Sequence, residues 1–198
     1  MKKLSDASAP NPRKPRADAE RNRLRLLEAA KTVFAEKGAD ASLEEIARAA
    51  GVGIGTLYRH FPTRDALVEQ VYRSESTQLA QAAADLARTH PPVEALRLWM
   101  RLFVDYLATK QIMSEALNAM VCGPAELYAE SGPQLKGALA DLAGRAVASG
   151  AIRLEVDPLD MLRALVGVAQ PEAGNAGREN AKRLVDMMIA GARVGAAD

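Results

Sequence analysis

The chain has one cysteine, Cys122, so no disulfide can form within it, which fits a reducing compartment. Its two histidines, His60 and His90, are too few and too scattered to suggest a metal site. No apolar run approaches the ~20 residues a membrane-spanning helix requires. The N-terminus carries charge but lacks the apolar stretch of a secretory signal. These absences point to a cytoplasmic protein without a membrane partner. No glycine loop follows a phosphate-binding pattern, and no nucleophile stands beside a plausible base and orienting group. Catalysis has no candidate residues, and no cofactor or metal is implied.

What is present is ordinary in bulk and uneven in distribution. At 198 residues, with 48% apolar and 26% charged residues, the chain is long enough for one or two cored domains. The net charge is only +1, yet residues 1–75 hold 14 Lys+Arg against 11 Asp+Glu, and residues 76–198 hold 12 against 14. That asymmetry hints at a polyanionic partner for the N-terminal part. Residues 1–17 read as a flexible basic tail, with Pro10, Pro12 and Pro15 among Lys2, Lys3, Arg13, Lys14 and Arg16. Such a tail is either a solvated leader or an arm that neutralises phosphates.

The remainder predicts an all-α protein. From Asp18, Leu24, Leu27, Ala30, Val33 and Phe34 recur at helical spacing, and Lys37-Gly38 supplies a stop. Ser42 to Glu45 spells a capping box at the start of a second helix, ended by Gly51. A third helix spans about 54–61 and meets Pro62. Thr63 caps a fourth that runs to His90, where Pro91-Pro92 ends it. Further helices are expected near 92–109, 112–121, 124–129, 133–149, 158–169 and 178–195, with breaks at Gly123-Pro124, Gly132-Pro133, Gly150, Pro171 and Gly174. Nothing alternates with period two for long enough to mark a strand. The implied division is a helix-turn-helix unit over 18–63 and a helical body over 64–198.

The segment Gly51–Arg64, GVGIGTLYRHFPTR, makes a poor core helix, because glycine costs a helix interior roughly 1 kcal/mol relative to alanine. It makes good sense as the turn and second helix of a helix-turn-helix. Gly51 takes the turn, Val52 and Leu57 face inward, and the other face carries polar groups. Gly53, Ile54 and Gly55 at the entry would permit close approach of a DNA duplex, since recognition helices use their N-terminal residues on base edges. Arg59 suits guanine O6 and N7 or a phosphate, and Thr56 a thymine methyl or a phosphate. Tyr58 and His60 suit phosphate oxygens, Arg64 could clamp a phosphate beside them, and Ser42 stands where the second helix would cross the backbone. Each has a structural alternative. Tyr58 could pack on the first helix, His60 could be an ordinary surface histidine, Ser42 could be a cap alone, and Arg64 could pair with Glu69 or Glu36. The joint arrangement carries the signal.

With AAKTVFAEKGADASLEEIARAAGVGIGTLYRHFPTRDALVEQVY, the chain closely resembles the N-terminal domain of TetR/AcrR-family transcriptional regulators over Arg21 to Arg73. Phe34, Gly38, Ser42 to Ala47, Gly51-Val52, Thr56-Leu57-Tyr58, His60-Phe61, Arg64 and Leu67 carry the likeness. The family commonly has lysine where Arg64 stands; arginine keeps the charge and the reach. The resemblance implies a homodimeric repressor of double-stranded operator DNA, with a C-terminal domain for dimerisation and a small-molecule effector. An activator, or a helical ligand- or protein-binding module with little operator binding of its own, is the alternative.

The C-terminal half has no comparable motif. Leu162, Leu165 and Val166 on one late helix, with Leu184, Met188 and Ile189 on the last, are candidates for the dimer interface; the competing role is to close the subunit's own core. Half of the chain's eight aromatics fall between Trp99 and Tyr128. Trp99, Phe103, Tyr106, Met113, Leu117, Met120 and Tyr128 are therefore candidates to line an effector pocket between helices, against the competing reading of plain core. Few charges lie among them, so an apolar or weakly polar effector is expected.

Overall fold

The computed structural model describes residues 13–121, 123–168 and 174–194. Among these it is built from nine α-helices, one short 3-10 turn and no strand beyond an isolated bridge. The tail expected over 1–17 lies outside the described residues up to position 12. From there the backbone is already helical: α1 spans Arg13–Lys37, five residues earlier than the pattern suggested. Pro15 is tolerated because it falls in the first turn, where backbone N–H groups have no intrahelical acceptor.

Gly38 ends α1 at φ +55°, opening the turn Gly38–Asp40. The helix α2 (Leu43–Ala49) starts on the anticipated capping box: the Glu45 N–H donates to Ser42 Oγ at 3.2 Å, and the Ser42 N–H donates to Glu45 Oε2 at 3.3 Å. Gly51 takes φ +66°, where a side chain would be strained, and leads into α3 (Ile54–His60). Leu26, Phe34, Ile46, Leu57 and Phe61 close the core of this unit.

Thr63 caps α4 (Arg64–Thr89), its hydroxyl accepting from the Ala66 N–H at 3.1 Å. Pro92 opens α5 (Pro92–Ile112), and the short α6 (Ser114–Asn118) follows. The break expected at Gly132-Pro133 does not occur: α7 is one helix, Ala125–Ala148, with Pro133 inside it. Its buried residues Leu127, Ser131, Leu135, Leu139 and Leu142 continue one stripe straight across the proline. Burial along that stripe outweighs the single backbone bond that proline cannot make. Asp157 caps α8 (Pro158–Val168) through its carboxylate and the Leu159 N–H, 2.7 Å apart. The last helix, α9, spans Gly174–Gly191. Backbone bonds Arg153 N–H to Ala192 O and Val194 N–H to Ala151 O tie the α7–α8 link to its end.

In the body, α4 packs on α5 and α7, and α5 also meets α8 and α9. Trp99 is fully buried there and donates its indole N–H to the Leu79 carbonyl at 2.9 Å. The seam between α5 and α9 is ionic: Asp186 accepts from Arg97 and Arg101, and Asp105 from Arg178 and Lys182.

Candidate nucleic-acid interface and effector region

In α3, Leu57 and Phe61 point inward and are fully buried. One helical step away, Ile54 and Tyr58 are exposed to 37% and 46%, with Gly55 and Arg59 beside them. A Cβ added at Gly53 or Gly55 would meet nothing within 4 Å, so the backbone at the entry of α3 is bare. Thr56 and His60 lie half-buried at the margins of this edge. The helix is therefore anchored by one i,i+4 apolar pair and offers Gly53, Ile54, Gly55, Tyr58 and Arg59 outward.

Ser42 and Arg64 sit differently. The Ser42 oxygen is engaged by the cap, and Glu45 is further held by Lys37, which draws its carboxyl below the usual range. Arg64 turns toward the protein rather than standing clear of it. It donates to the Gly38 carbonyl at 3.3 Å and lies over the Phe34 ring at 5.1 Å. Glu69, an alternative partner in sequence, pairs with Arg73 at 2.8 Å.

The residues expected around an effector fall into two groups. Trp99, Met113 and Leu117 are buried to within about 1% and belong to the packed core. Phe103, Tyr106 and Tyr128 belong to a run of rings that also includes Tyr72 of α4, with centroids 5.5–6.2 Å apart. Met120 is half-buried against the same core. Inside that run is a directed chain of hydroxyls. Tyr106 donates to Tyr72 at 2.8 Å, Tyr72 and Ser131 are 2.8 Å apart, and Ser131 donates to the Leu127 carbonyl at 2.9 Å. Since the Ser131 proton is committed to Leu127, the Tyr72 proton goes to Ser131. Burial, then the neighbouring Tyr72, pushes the Tyr106 phenol well up, so it stays protonated.

The outward candidates on the last two helices also divide. Leu162, Leu165 and Ile189 are buried within the chain's own core, so that part of the expected interface set serves the subunit itself. Val166 is 47% exposed, Leu184 and Met188 are half-buried, and Met187 beside them is 69% exposed. Sequence reasoning also passed over Tyr72, Ser131 and Lys110. Their helical phase alone does not say which of several neighbouring helices each one faces.

Among the described residues no group of three or more His, Cys, Asp or Glu is placed to hold a metal. No described helix is long and apolar enough to cross a membrane. Cys122 lies outside the described residues.

A small helical unit with one bare, polar-edged helix, set on a larger helical body, defines a helix-turn-helix regulator. Residues 26–71 match the family model "Bacterial regulatory proteins, tetR family", and residues 91–194 match "Transcriptional regulator SbtR-like, C-terminal domain". A TetR transcriptional regulator of Streptomyces coelicolor is 44% identical and superposes with a TM-score of 0.76 over 88% of this chain and 99% of that one. A TetR regulator of Mycobacterium vanbaalenii is 34% identical, with a TM-score of 0.73 over 91% and 99%. The HTH-type transcriptional regulator UidR of Escherichia coli (strain K12) is 32% identical over 91 residues, which cover 46% of this chain and 41% of that relative. The match thus spans less than half of that curated relative's length. The chain belongs to the TetR family of DNA-binding transcriptional regulators.

Proposed function

We propose that the protein is a homodimeric repressor that binds a near-palindromic operator and is released by a small effector lodged in its helical body. The observation that carries this reading is the outer edge of α3, where Gly53, Ile54, Gly55, Tyr58 and Arg59 have no packing role while Leu57 and Phe61 hold the helix. Arg59 is assigned to base edges or phosphate, Tyr58, Thr56 and His60 chiefly to the DNA backbone, and Ser42 to presenting the start of α2. Arg64 positions α4 against α1 instead of acting as a free phosphate clamp.

Two such helices on one duplex need a partner copy. The outward residues Val166, Leu184, Met187 and Met188 of α8 and α9 supply the apolar surface for it. Half-sites are then one helical turn apart, ~34 Å, or slightly more. The effector region is the ring cluster of Phe103, Tyr106 and Tyr128, extended by Tyr72. Tyr72 and Arg64 share α4, so a ligand that shifts Tyr72 tilts the helix beside α3. By linkage, operator DNA weakens effector binding by the same factor as effector weakens operator binding.

The test is fluorescence anisotropy on the DNA flanking the protein's own coding region, with stoichiometry from titration at high concentration. Two chains per site and a clear preference over random duplex are expected. Binding that is equally tight to any sequence, or saturates at one chain, refutes the reading.

A further inference from the structure

The basic side chains set between helices of the body are mostly paired. Arg73 meets Glu69 and Glu130, Arg97 and Arg101 meet Asp186, Lys182 and Arg178 meet Asp105, and Lys31 meets Glu75. Lys110 departs from that pattern. It stands in the last turn of α5, half-buried, with its Nζ 3.6 Å from the centroid of the Tyr128 ring. Among the described residues no carboxylate meets it, and that ring is its contact. Burial draws its pKa below the ordinary lysine range, with no neighbouring charge acting against the shift. An ammonium in this setting gives up hydration for a ring face alone, which returns only part of the loss.

Its surroundings say what would complete it. The protons of Tyr106, Tyr72 and Ser131 are consumed along their own chain, which ends on Leu127. The Tyr128 hydroxyl joins none of those bonds, although its ring lies 5.5 Å from that of Tyr72. A cavity of about 120 Å³ at the Tyr72–Ser131 end of that chain is lined by Tyr72, Arg73, Ser76, Leu127, Glu130 and Ser131, and neither Lys110 nor Tyr128 lines it. The region thus holds a cation without an anion, an uncommitted phenol and aromatic walls.

We propose that Lys110 seats the carboxylate of an otherwise apolar effector, with Tyr128 as its second donor. A monoanion fits better than a phosphate. One ammonium balances one charge, and the nearby Arg73 is already held by two glutamates. The proposal rests on the reading of this region as the effector site, and adds one negative charge to the apolar or weakly polar effector expected from the scarcity of charge in the sequence.

The probes are two matched pairs, phenylacetate with phenylacetamide and octanoate with octanamide, titrated against the full chain. Binding is read from Trp99, the single tryptophan, which stacks on Phe103 with centroids 6.0 Å apart. Release from operator DNA is read in parallel. Each carboxylate is expected to bind at least about tenfold tighter than its amide. Lys110→Met erases that preference, Lys110→Arg keeps it, and Lys136→Met, an exposed lysine of α7, leaves it unchanged. Thermal melts establish that each variant is folded. Equal binding of acid and amide, no carboxylate binding in the millimolar range, or a preference that survives in Lys110→Met overturns the proposal. Release of DNA by the amides as readily as by the acids would sink the anion and leave the effector-responsive reading standing. Absence of specific DNA binding by the parent chain sinks that reading itself, whatever Lys110 does.

Discussion

Arg64 lies over the ring of Phe34, its guanidinium carbon 5.1 Å from the centroid, while it donates to the Gly38 carbonyl at 3.3 Å. The first turn of α4 is thereby fastened to the end of α1. The next residue, Asp65, accepts from the Val121 N–H at 3.0 Å, and the Gly38 turn abuts Glu115 of α6. One small region joins the helix-turn-helix to the body from both sides, so a displacement of α4 reaches α1 and the segment after α6 together.

Removing that fastening should be felt in both stability and DNA binding. Arg64→Ala loses a cation–π contact and a charge-assisted hydrogen bond, together worth about 1–2 kcal/mol. Urea unfolding should register that loss, and operator affinity should fall with it. Arg64→Lys keeps the charge but not the planar group that covers the ring, so it should fall between the two. Parent-like behaviour of the alanine variant in both measurements would show the junction to be idle.

Tyr58 and Arg59 should behave in the opposite way, costing binding and little stability, because both are exposed. Alanine at a phosphate-contacting position reduces the slope of log affinity against log salt by about 1, whereas loss of a base contact relaxes sequence preference by roughly 1–3 kcal/mol. Tyr58→Ala is expected to give the first signature and Arg59→Ala the second. The measurement is a salt series on the operator and on single-base variants of it. If both variants bind like the parent at every salt concentration, this edge of α3 is not the interface.

The parts of this fold that were legible in sequence are those set by local chemistry. The Ser42–Glu45 cap, the left-handed Gly51 and the Thr63 cap all depend on residues within a few positions of one another. What was not legible depends on partners far along the chain. Pro133 stays helical because α7 is buried on both sides of it. Leu162 and Leu165 face inward while Val166 faces outward, a partition that periodicity outlines without saying which side meets a second copy. Lys110 in LATKQIM reads as a solvated lysine at a helix end; only the arrival of Tyr128 from α7 gives it a ring to lie over.

Gly38 is a strict position for two reasons. Its φ of +55° disfavours any side chain, and a Cβ there would collide with the Glu115 carboxylate. Gly38→Ala should therefore cost about 1–2 kcal/mol from backbone strain alone. Glu115→Ala should recover the part of the loss that comes from the collision and leave the rest. A double-mutant cycle in urea measures the split, and complete additivity would mean that the glutamate simply moves aside.

Acid should loosen the α5–α9 seam. Within α5, the Glu94 carboxyl is held below its usual value by its hydrogen bond to Arg97, the residue that also reaches Asp186 across the seam. For Asp105, burial raises the pKa, but Arg178 and Lys182 outweigh it and the net shift is downward. A carboxylate whose pKa is lower in the folded than in the unfolded state contributes stability that is complete above the unfolded value, near 4, and is lost as pH falls through the folded one. Melting temperature should hold steady from neutral pH down to roughly pH 5 and then drop. Asp105→Asn should be less stable than the parent at neutral pH and lose less on acidification. A variant whose acid limb matches the parent's would remove Asp105 from the account.

The hydroxyl chain makes the sharpest ordering. Its protons run from Tyr106 to Tyr72 to Ser131 to the Leu127 carbonyl. Tyr72→Phe strands the Tyr106 proton in a buried site and takes the donor from Ser131, a loss of about 1–3 kcal/mol. Ser131→Ala strands the Tyr72 proton and should cost about as much. Tyr106→Phe removes only the first donor and leaves the protons downstream satisfied, so its cost is that of a single neutral bond, about 0.5–1.5 kcal/mol. Urea unfolding of the three variants should rank Tyr106→Phe as the mildest. If it is as severe as Tyr72→Phe, the protons run the other way and Tyr106 is the acceptor, which would leave the Tyr106 proton, like that of Tyr128, free to meet a carboxylate.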